Sequence, residues 1–380
     1  MRHSAHPVRP AVTVSSGEIT GPLSKRKDSP FESPVVVPTK TWSLILLAII
    51  GQAVALFGLC GCREVSPSET AFPASVECAC TLRMHAPQAE DFADDSLCVF
   101  SYNPDNYDYI DSYSRLPYEN DVRILLTAGR KKIAVLRGIA PSRITPEDFV
   151  TLEALERFCF QLEEEDPAHP FQSAFAELDA RIQTVADLSL TPLLSRIRVK
   201  SLRADFSGQP YDGARVDSVR VYLTHVNCQC SVLAEEKVSA EVFCHQGFFS
   251  PEDNARLRHP EMLIHCLDGT LSPTARQTDL SLYCYPNQNG EEGLGSPYTR
   301  LVIECRIAGE RFYYPLNVGR GYLKAEGLTE GIARGKSYDF DICLRHLGSR
   351  DPDTVLETGT VSVLLSVGPW TEKEERYEDF

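Results

Sequence analysis

The sequence predicts a mainly β chain arranged as two antiparallel β-sandwiches, the first carrying one or two helices. Three observations lead there. Period-two alternation of apolar and polar residues recurs from position 76 to 367, turn residues interrupt it at short intervals, and one stretch alone keeps a clear helical spacing. At 380 residues the chain exceeds what one small core organises, so two domains are expected.

Residues 1–41 are polar and basic, with Arg2, Arg9, Lys25, Arg26, Lys27 and Lys40 against Glu18, Asp28 and Glu32. Trp42 to Leu59 is apolar apart from Ser43 and Gln52, about 18 residues and so near the lower bound for a membrane span. A basic flank, an apolar core and small residues at its end also describe an export signal. The run ends Leu59-Cys60-Gly61-Cys62, which resembles the bacterial lipobox, and Cys62 fits as the acylated residue because Gly61 precedes it. The expected mature chain therefore starts at Cys62, residues 1–61 being leader and lipoprotein signal; an uncleaved single-span anchor is the alternative. The leader is long for such a signal, which leaves a translation start downstream of Met1 open. Residues 62–75 read as a flexible tether.

The first strand candidate follows directly. Val76, Cys78, Cys80, Leu82 and Met84 share one face, with Glu77, Thr81 and Arg83 on the other. Strands are expected at 97–102, 122–126 and 132–136, with turns at 103–106 and 128–129. Thr145 then caps a helix opened by Pro146, Glu147 and Asp148. Its apolar face is Phe149, Leu152, Leu155, Phe158, Cys159 and Leu162, and Asp166-Pro167 stops it. A weaker helix is expected over 173–185. A boundary near 188–194 separates a domain over 76–192 from one over 193–380. The second domain reads as strands at 196–202, 218–226, 237–244, 279–285, 301–307, 311–316, 337–344 and 360–367, an all-β pattern with no internal repeat.

Charge narrows the partners. The chain has 38 Lys+Arg against 53 Asp+Glu, a net −15, which argues against a nucleic-acid groove or an anionic lipid surface. Beyond position 61 the balance is near −18. Thirteen cysteines are too sparse for a small disulfide scaffold; most sit inside apolar alternation and read as core residues first, disulfides second.

No motif assembles an active site, so no enzyme and no cofactor are expected. Gly331-Ile-Ala-Arg-Gly335-Lys336-Ser337 imitates a phosphate-binding loop, but three residues separate the glycines where four are needed, and a strand follows instead of a helix. Cys228, Cys230, Cys244, His245, His265 and Cys266 cluster in sequence, yet the close cysteine pair has one intervening residue where structural zinc sites use two to four. Packing or disulfide use is the simpler reading. The stretch 102–118 holds five tyrosines among Asp-rich turns. Tyr107 and Tyr109 there could stack on a glycan; an exposed loop at a sandwich edge has the same pattern.

Several segments taken in order resemble the fimbrial subunit (fimbrillin) superfamily of the Bacteroidales. Asp95-Ser-Leu-Cys-Val-Phe-Ser-Tyr resembles its early strand, and residues 122–136 the strand pair before its helix. Leu193-Leu-Ser-Arg-Ile-Arg-Val-Lys-Ser-Leu resembles the opening of its second domain, and residues 219–227 the strand after that. Ala333-Arg-Gly-Lys-Ser-Tyr-Asp-Phe-Asp-Ile resembles the entry to its penultimate strand, with Gly335 in place of the usual Asn. Gly348-Ser-Arg-Asp-Pro-Asp, Pro369-Trp370 and a ten-residue tail complete the pattern over residues 60–380.

The resemblance implies two transthyretin-like β-sandwich domains, lipid-assisted export and assembly into a fimbria at the outer membrane with other fimbrial subunits. In the family, stalk subunits are cut after a basic residue near the first strand, and a neighbour's C-terminal strand fills the vacated groove. Arg83 is the matching basic residue, and residues after Gly359, chiefly 360–367, are the matching donor. The tail TEKEERYEDF, half acidic, suits a buried donor poorly. An accessory subunit, anchor or tip, is therefore favoured over a stalk subunit, and a surface glycan-binding lipoprotein is the second class considered.

Overall fold

The computed structural model describes residues 76–86, 95–233, 242–243, 256–290, 292–293, 297–320, 330–354, 356 and 359–370. Cys62 with its leader and tether, most of the expected strand over 237–244, Cys244, His245 and the tail from 371 lie outside these residues.

In the first half the strands are β1 (Glu77–His85), β2 (Ser96–Asn103), β3 (Tyr109–Pro117), β4 (Asp121–Thr127), β5 (Arg130–Arg137), β6 (Cys159–Gln161), β7 (Gln172–Asp179), β8 (Val185–Ser189) and β9 (Thr191–Pro192), with a short helix α1 (Leu152–Arg157) before β6. In the second half they are β10 (Ser195–Ala204), β11 (Val216–Thr224), β12 (Val226–Asn227), β13 (Gln229–Ser231), β14 (Val242–Phe243) and β15 (Ile264–Leu271). Then come β16 (Arg276–Cys284), β17 (Arg300–Ile307), β18 (Glu310–Asn317), β19 (Lys336–Leu344) and β20 (Val361–Pro369).

The first half stacks a three-stranded sheet, in the order β4-β1-β8, against a five-stranded sheet ordered β3-β2-β5-β7-β9. Alternation decides which side chains enter the gap. Cys80, Leu82 and Met84 of β1 meet Val122, Ile124 and Leu126 of β4, Leu97 and Val99 of β2, and Ile133 and Val135 of β5. β2 and β5 are buried on both faces, which is why their sequences are nearly continuous apolar runs. Their second face, with Phe100, Tyr102, Ala134 and Leu136, is covered by Phe149, Leu152, Leu155, Phe160 and Leu162.

The second half stacks β16-β10-β19-β20 against β15-β11-β17-β18. Its core includes Ile197, Val199, Val221, Leu223, Ile303, Cys305, Phe340 and Ile342, and it is continuous with the covered second face of the five-stranded sheet. Pairing of β6 with β13 stitches the two halves together. Each fully buried Leu, Ile or Phe in these clusters contributes roughly 1.5–3 kcal/mol.

The β reading holds, with departures. Pairing is not antiparallel throughout: β1 runs parallel to β8, and β10 parallel to β19. The long helix expected from Thr145 to Leu162 is broken into a 3-10 turn over Pro146–Phe149, the six-residue α1, strand β6 and a second 3-10 turn over Leu162–Glu164. Thr151, not Thr145, caps the helix, accepting from Ala154 N at 3.3 Å. Phe158 then turns extended, at φ −70 and ψ 130, so that β6 can pair with β13. The weaker helix expected over 173–185 is strand β7, paired to β5, and a turn leading to β8. Residues 109–117, read as a loop, form the edge strand β3, and His265 and Cys266, weighed as metal ligands, lie on strand β15.

Candidate functional site

Arg83 and the expected donor segment lie on the first and last strands, β1 and β20. β1 is the middle strand of its sheet, in register with β4 on one side and β8 on the other. Leu82 lies opposite both Val122 and Ala186. Its outward face places Arg83 between Asp121 and Asp187: Nε is 3.3 Å from Asp121 Oδ1, and Nη1 is 3.7 Å from Asp187 Oδ1. Half of the Arg83 side chain is exposed, and the bond to Met84 lies within the strand. Cys80, Leu82 and Met84 share one buried cluster with Val122, Ile124, Leu126, Ala186 and Leu188.

At the other end, β20 pairs in full with β19, from Lys336↔Pro369 to Leu344↔Val361. Among the described residues it has no strand on its other side. Val361, Val363, Leu365 and Val367 pack half-buried against the second core, whereas Leu364 is 69% exposed. Trp370 pins the end of the strand. Its N donates to Gly335 O at 2.9 Å, and its ring lies 5.4 Å from that of Tyr283. Residues 361–369 are thus seated in their own chain's sheet.

The tyrosine-rich stretch divides into structural and exposed members. Tyr102 is buried and donates to Phe149 O at 3.2 Å. Tyr113 packs on Phe100 with ring centres 4.9 Å apart, and the Arg137 guanidinium lies 3.7 Å over the Tyr118 ring. Tyr107 is 88% exposed and Tyr109 is 46% exposed. Asn103 caps the preceding turn through its side chain, and both Tyr107 and Asp108 adopt positive φ, at 53° and 55°. Asp108 is held by Lys132 at 3.0 Å. Tyr107 edges a shallow cavity of about 330 Å³ whose polar lining is Asp108, Lys132, Thr151, Glu153 and Glu156.

The cysteines serve the core. Seven of the ten described, Cys80, Cys98, Cys228, Cys230, Cys284, Cys305 and Cys343, are buried thiols, and Cys266 is exposed. Burial pushes the Cys284 thiol up to about 12, and burial followed by the neighbouring Glu304 does the same for Cys305. Among the described residues no three His, Cys, Asp or Glu side chains converge on a metal position. His265 Nε2 instead meets Ser281 O at 3.0 Å. Gly331 and Gly335 have structural reasons. Gly331, at φ +95, has no room for a Cβ, which would stand 2.6 Å from Asn287 O. Among the described residues no helix is long and apolar enough to cross a membrane.

Two residues that sequence reasoning passed over stand at the seam between the sandwiches. Arg334, inside the phosphate-loop imitation, is buried and donates to Ser173 Oγ at 2.8 Å, Thr191 O at 3.0 Å and Val232 O at 3.2 Å. Glu165, just before the Asp166-Pro167 pair read as the helix stop, is fully buried against Tyr285. Their partners lie far away in sequence, so no local signal marks them.

No protein-family model matches this chain, and no curated protein matches its sequence. Solved structures do match. A "putative cell adhesion protein" from Bacteroides eggerthii aligns at TM-score 0.57 with 14% identity, covering 78% of this chain and 98% of that one. A fimbrilin from Porphyromonas gingivalis W83 aligns at TM-score 0.55 with 10% identity, covering 77% of this chain and 97% of that one. A "putative cell adhesion protein" from Parabacteroides distasonis aligns at TM-score 0.51 with 13% identity, covering 78% and 98%. The chain has the fold of these proteins, and the alignments cover nearly their whole length.

Proposed function

We propose that this chain is a structural or adhesive subunit of a cell-surface fimbria, an accessory subunit exported as a lipoprotein and joined to other fimbrial subunits by strand exchange. The observation that carries the reading is the fold shared with a fimbrilin across almost all of that protein. Fold alone does not fix function, so the details rest on this chain's own residues. Cys62, placed after Gly61, is the proposed acylation site that holds the protein at the outer membrane. Arg83 is the residue at which a stalk subunit would be cut and stays silent in an anchor, and β20, which among the described residues has no strand on its other flank, is the edge another strand would pair with. Acidic net charge fits protein partners better than nucleic acid.

A surface glycan-binding lipoprotein is the second reading, and one observation favours it. Tyr107 stands almost fully exposed beside a cavity carrying carboxylates and an amine. An aromatic face flanked by hydrogen-bonding groups is the arrangement that recognises a sugar.

Immunogold labelling of filaments on cells separates the two. Labelled filaments support the fimbrial reading; binding on a glycan array that disappears with Tyr107→Ala or Tyr109→Ala, on cells without filaments, overturns it. N-terminal sequencing of protein released from filaments then assigns the role. A start at Cys62 supports an anchor. A start at Met84, with assembly lost on deleting Thr371–Phe380, makes it a polymerising stalk subunit.

A further inference from the structure

The run Glu163-Glu164-Glu165-Asp166 lies where the first sandwich meets the second, and its four carboxyl groups have unequal partners. Glu163 pairs with Arg256 at 3.1 Å and Glu164 with Arg143 at 2.7 Å. Asp166 is flanked by His169 at 3.3 Å and His259 at 3.9 Å, and His259 in turn meets Glu261 at 2.8 Å. Glu165 makes no ion pair among the described residues and has no exposed surface. Its Oε2 accepts from Phe171 N at 3.2 Å, on its own side of the seam. Its Oε1 meets the Tyr285 hydroxyl at 3.1 Å, at the end of β16 on the other side.

A carboxylate in that position is costly. Two hydrogen bonds favour the ionised form, but burial outweighs them and pushes the Glu165 carboxyl up to about 8. The neighbouring Asp166 charge adds to the rise, and the Arg334 guanidinium partly offsets it. The other titratable groups facing the site are Tyr285 itself, Glu164 and Cys230. Opening the seam would hydrate Glu165 and restore an ordinary carboxyl, so opening releases a proton.

We propose that the seam between the two sandwiches is a pH-sensitive joint, its closed form favoured by the buried contact of Glu165 with Tyr285 and its opening favoured where Glu165 meets water. The sign follows from linkage. The closed form binds the proton more tightly than the open form, so closing is strongest below the ordinary carboxyl range near 4.5 and weakens as pH rises towards about 8. Across that window the closing constant falls by up to roughly tenfold per pH unit and then levels off. The device goes beyond the fimbrial reading and does not depend on it, since its test needs no filament.

The experiment is hydrogen–deuterium exchange on the mature chain at pH 5.5 and pH 8.5, corrected for intrinsic exchange, comparing wild type with Glu165→Gln. Protection in seam peptides around 165–173, 229–233 and 283–287 is expected to fall at least tenfold in the wild type over this range and to stay level in Glu165→Gln. Peptides covering β2 should not change in either. Tyr285→Phe, which keeps the carboxyl buried, should retain the dependence and guards against a misfolded Gln variant. Flat protection in the wild type, or the same pH dependence in Glu165→Gln, overturns the proposal.

Discussion

Leu82→Ala tests whether β1 is an integral part of the first core. Leu82 is fully buried at the centre of β1, opposite Val122 and Ala186 and beneath Leu97 and Val99 of the facing sheet. The change removes three carbons, about 2.4 kcal/mol of transfer free energy at ~0.8 kcal/mol each. Both walls of the cavity are hydrogen-bonded sheets, which relax little, so a cavity cost of about 1 kcal/mol adds to this. The expected loss is about 3–4 kcal/mol, a fall in Tm of roughly 4–6 °C for a chain of this size. Leu364→Ala on β20 removes the same atoms from a side chain that is 69% exposed, and should cost less than about 0.5 kcal/mol. Thermal and urea unfolding of the protein measure both. A loss below about 1 kcal/mol for Leu82→Ala, or equal losses for the two variants, would refute the reasoning that β1 holds the core while β20 covers an edge.

Gly331→Ala should destabilise the chain by at least about 2 kcal/mol, because it combines a positive φ of +95 with a Cβ only 2.6 Å from Asn287 O; urea unfolding checks it. Ellman's reagent on the native protein should modify Cys266 rapidly and leave Cys284 and Cys305 unmodified until unfolding, since burial keeps both of those thiols protonated near neutral pH; mass mapping of the labelled peptides decides it. Tyr107→Ala should leave Tm unchanged within about 1 °C, because the ring is 88% exposed and covers no core, so that any lost ligand binding in this variant reports contact and not unfolding.

The strands were legible where one face is buried and the other wet. β1, β4 and β20 alternate cleanly because each lines a single core, and period two survives in their sequences. The covering segment from 146 to 164 was misread for a physical reason. It lies against the second face of the five-stranded sheet and buries Phe149, Leu152, Leu155, Phe160 and Leu162 whatever its local conformation, so helical spacing arises without a continuous helix. The second capping threonine, Thr151, was the available sign of a break. β7 hid its character because Ser173 is buried, satisfied by Arg334 161 residues away, and such a partner leaves no mark on local pattern. Local pattern does not sort the tyrosines of this stretch: Tyr107 and Tyr109 are exposed while Tyr102 is buried, a difference set by their place in the fold.

Topology also bears on which strand a subunit could exchange. An interior strand such as β5 is tied to the chain at both ends and packed between β2 and β7, so giving it to a neighbour would drag two connections through the sandwich. β1 and β20 are each tied to the described sandwiches at one end, and they pair with β8 and β19 respectively. Their energetic roles differ. β1 inserts Cys80, Leu82 and Met84, each at most 3% exposed, and holds two neighbouring strands together. β20 contributes four half-buried side chains and bonds to one neighbour. Losing β1 therefore opens a core, whereas among the described residues no strand occupies the other flank of β20. A subunit that keeps β1 and offers an open edge is complete before it assembles, which suits an anchor or tip better than a stalk subunit whose fold waits for a neighbour's strand.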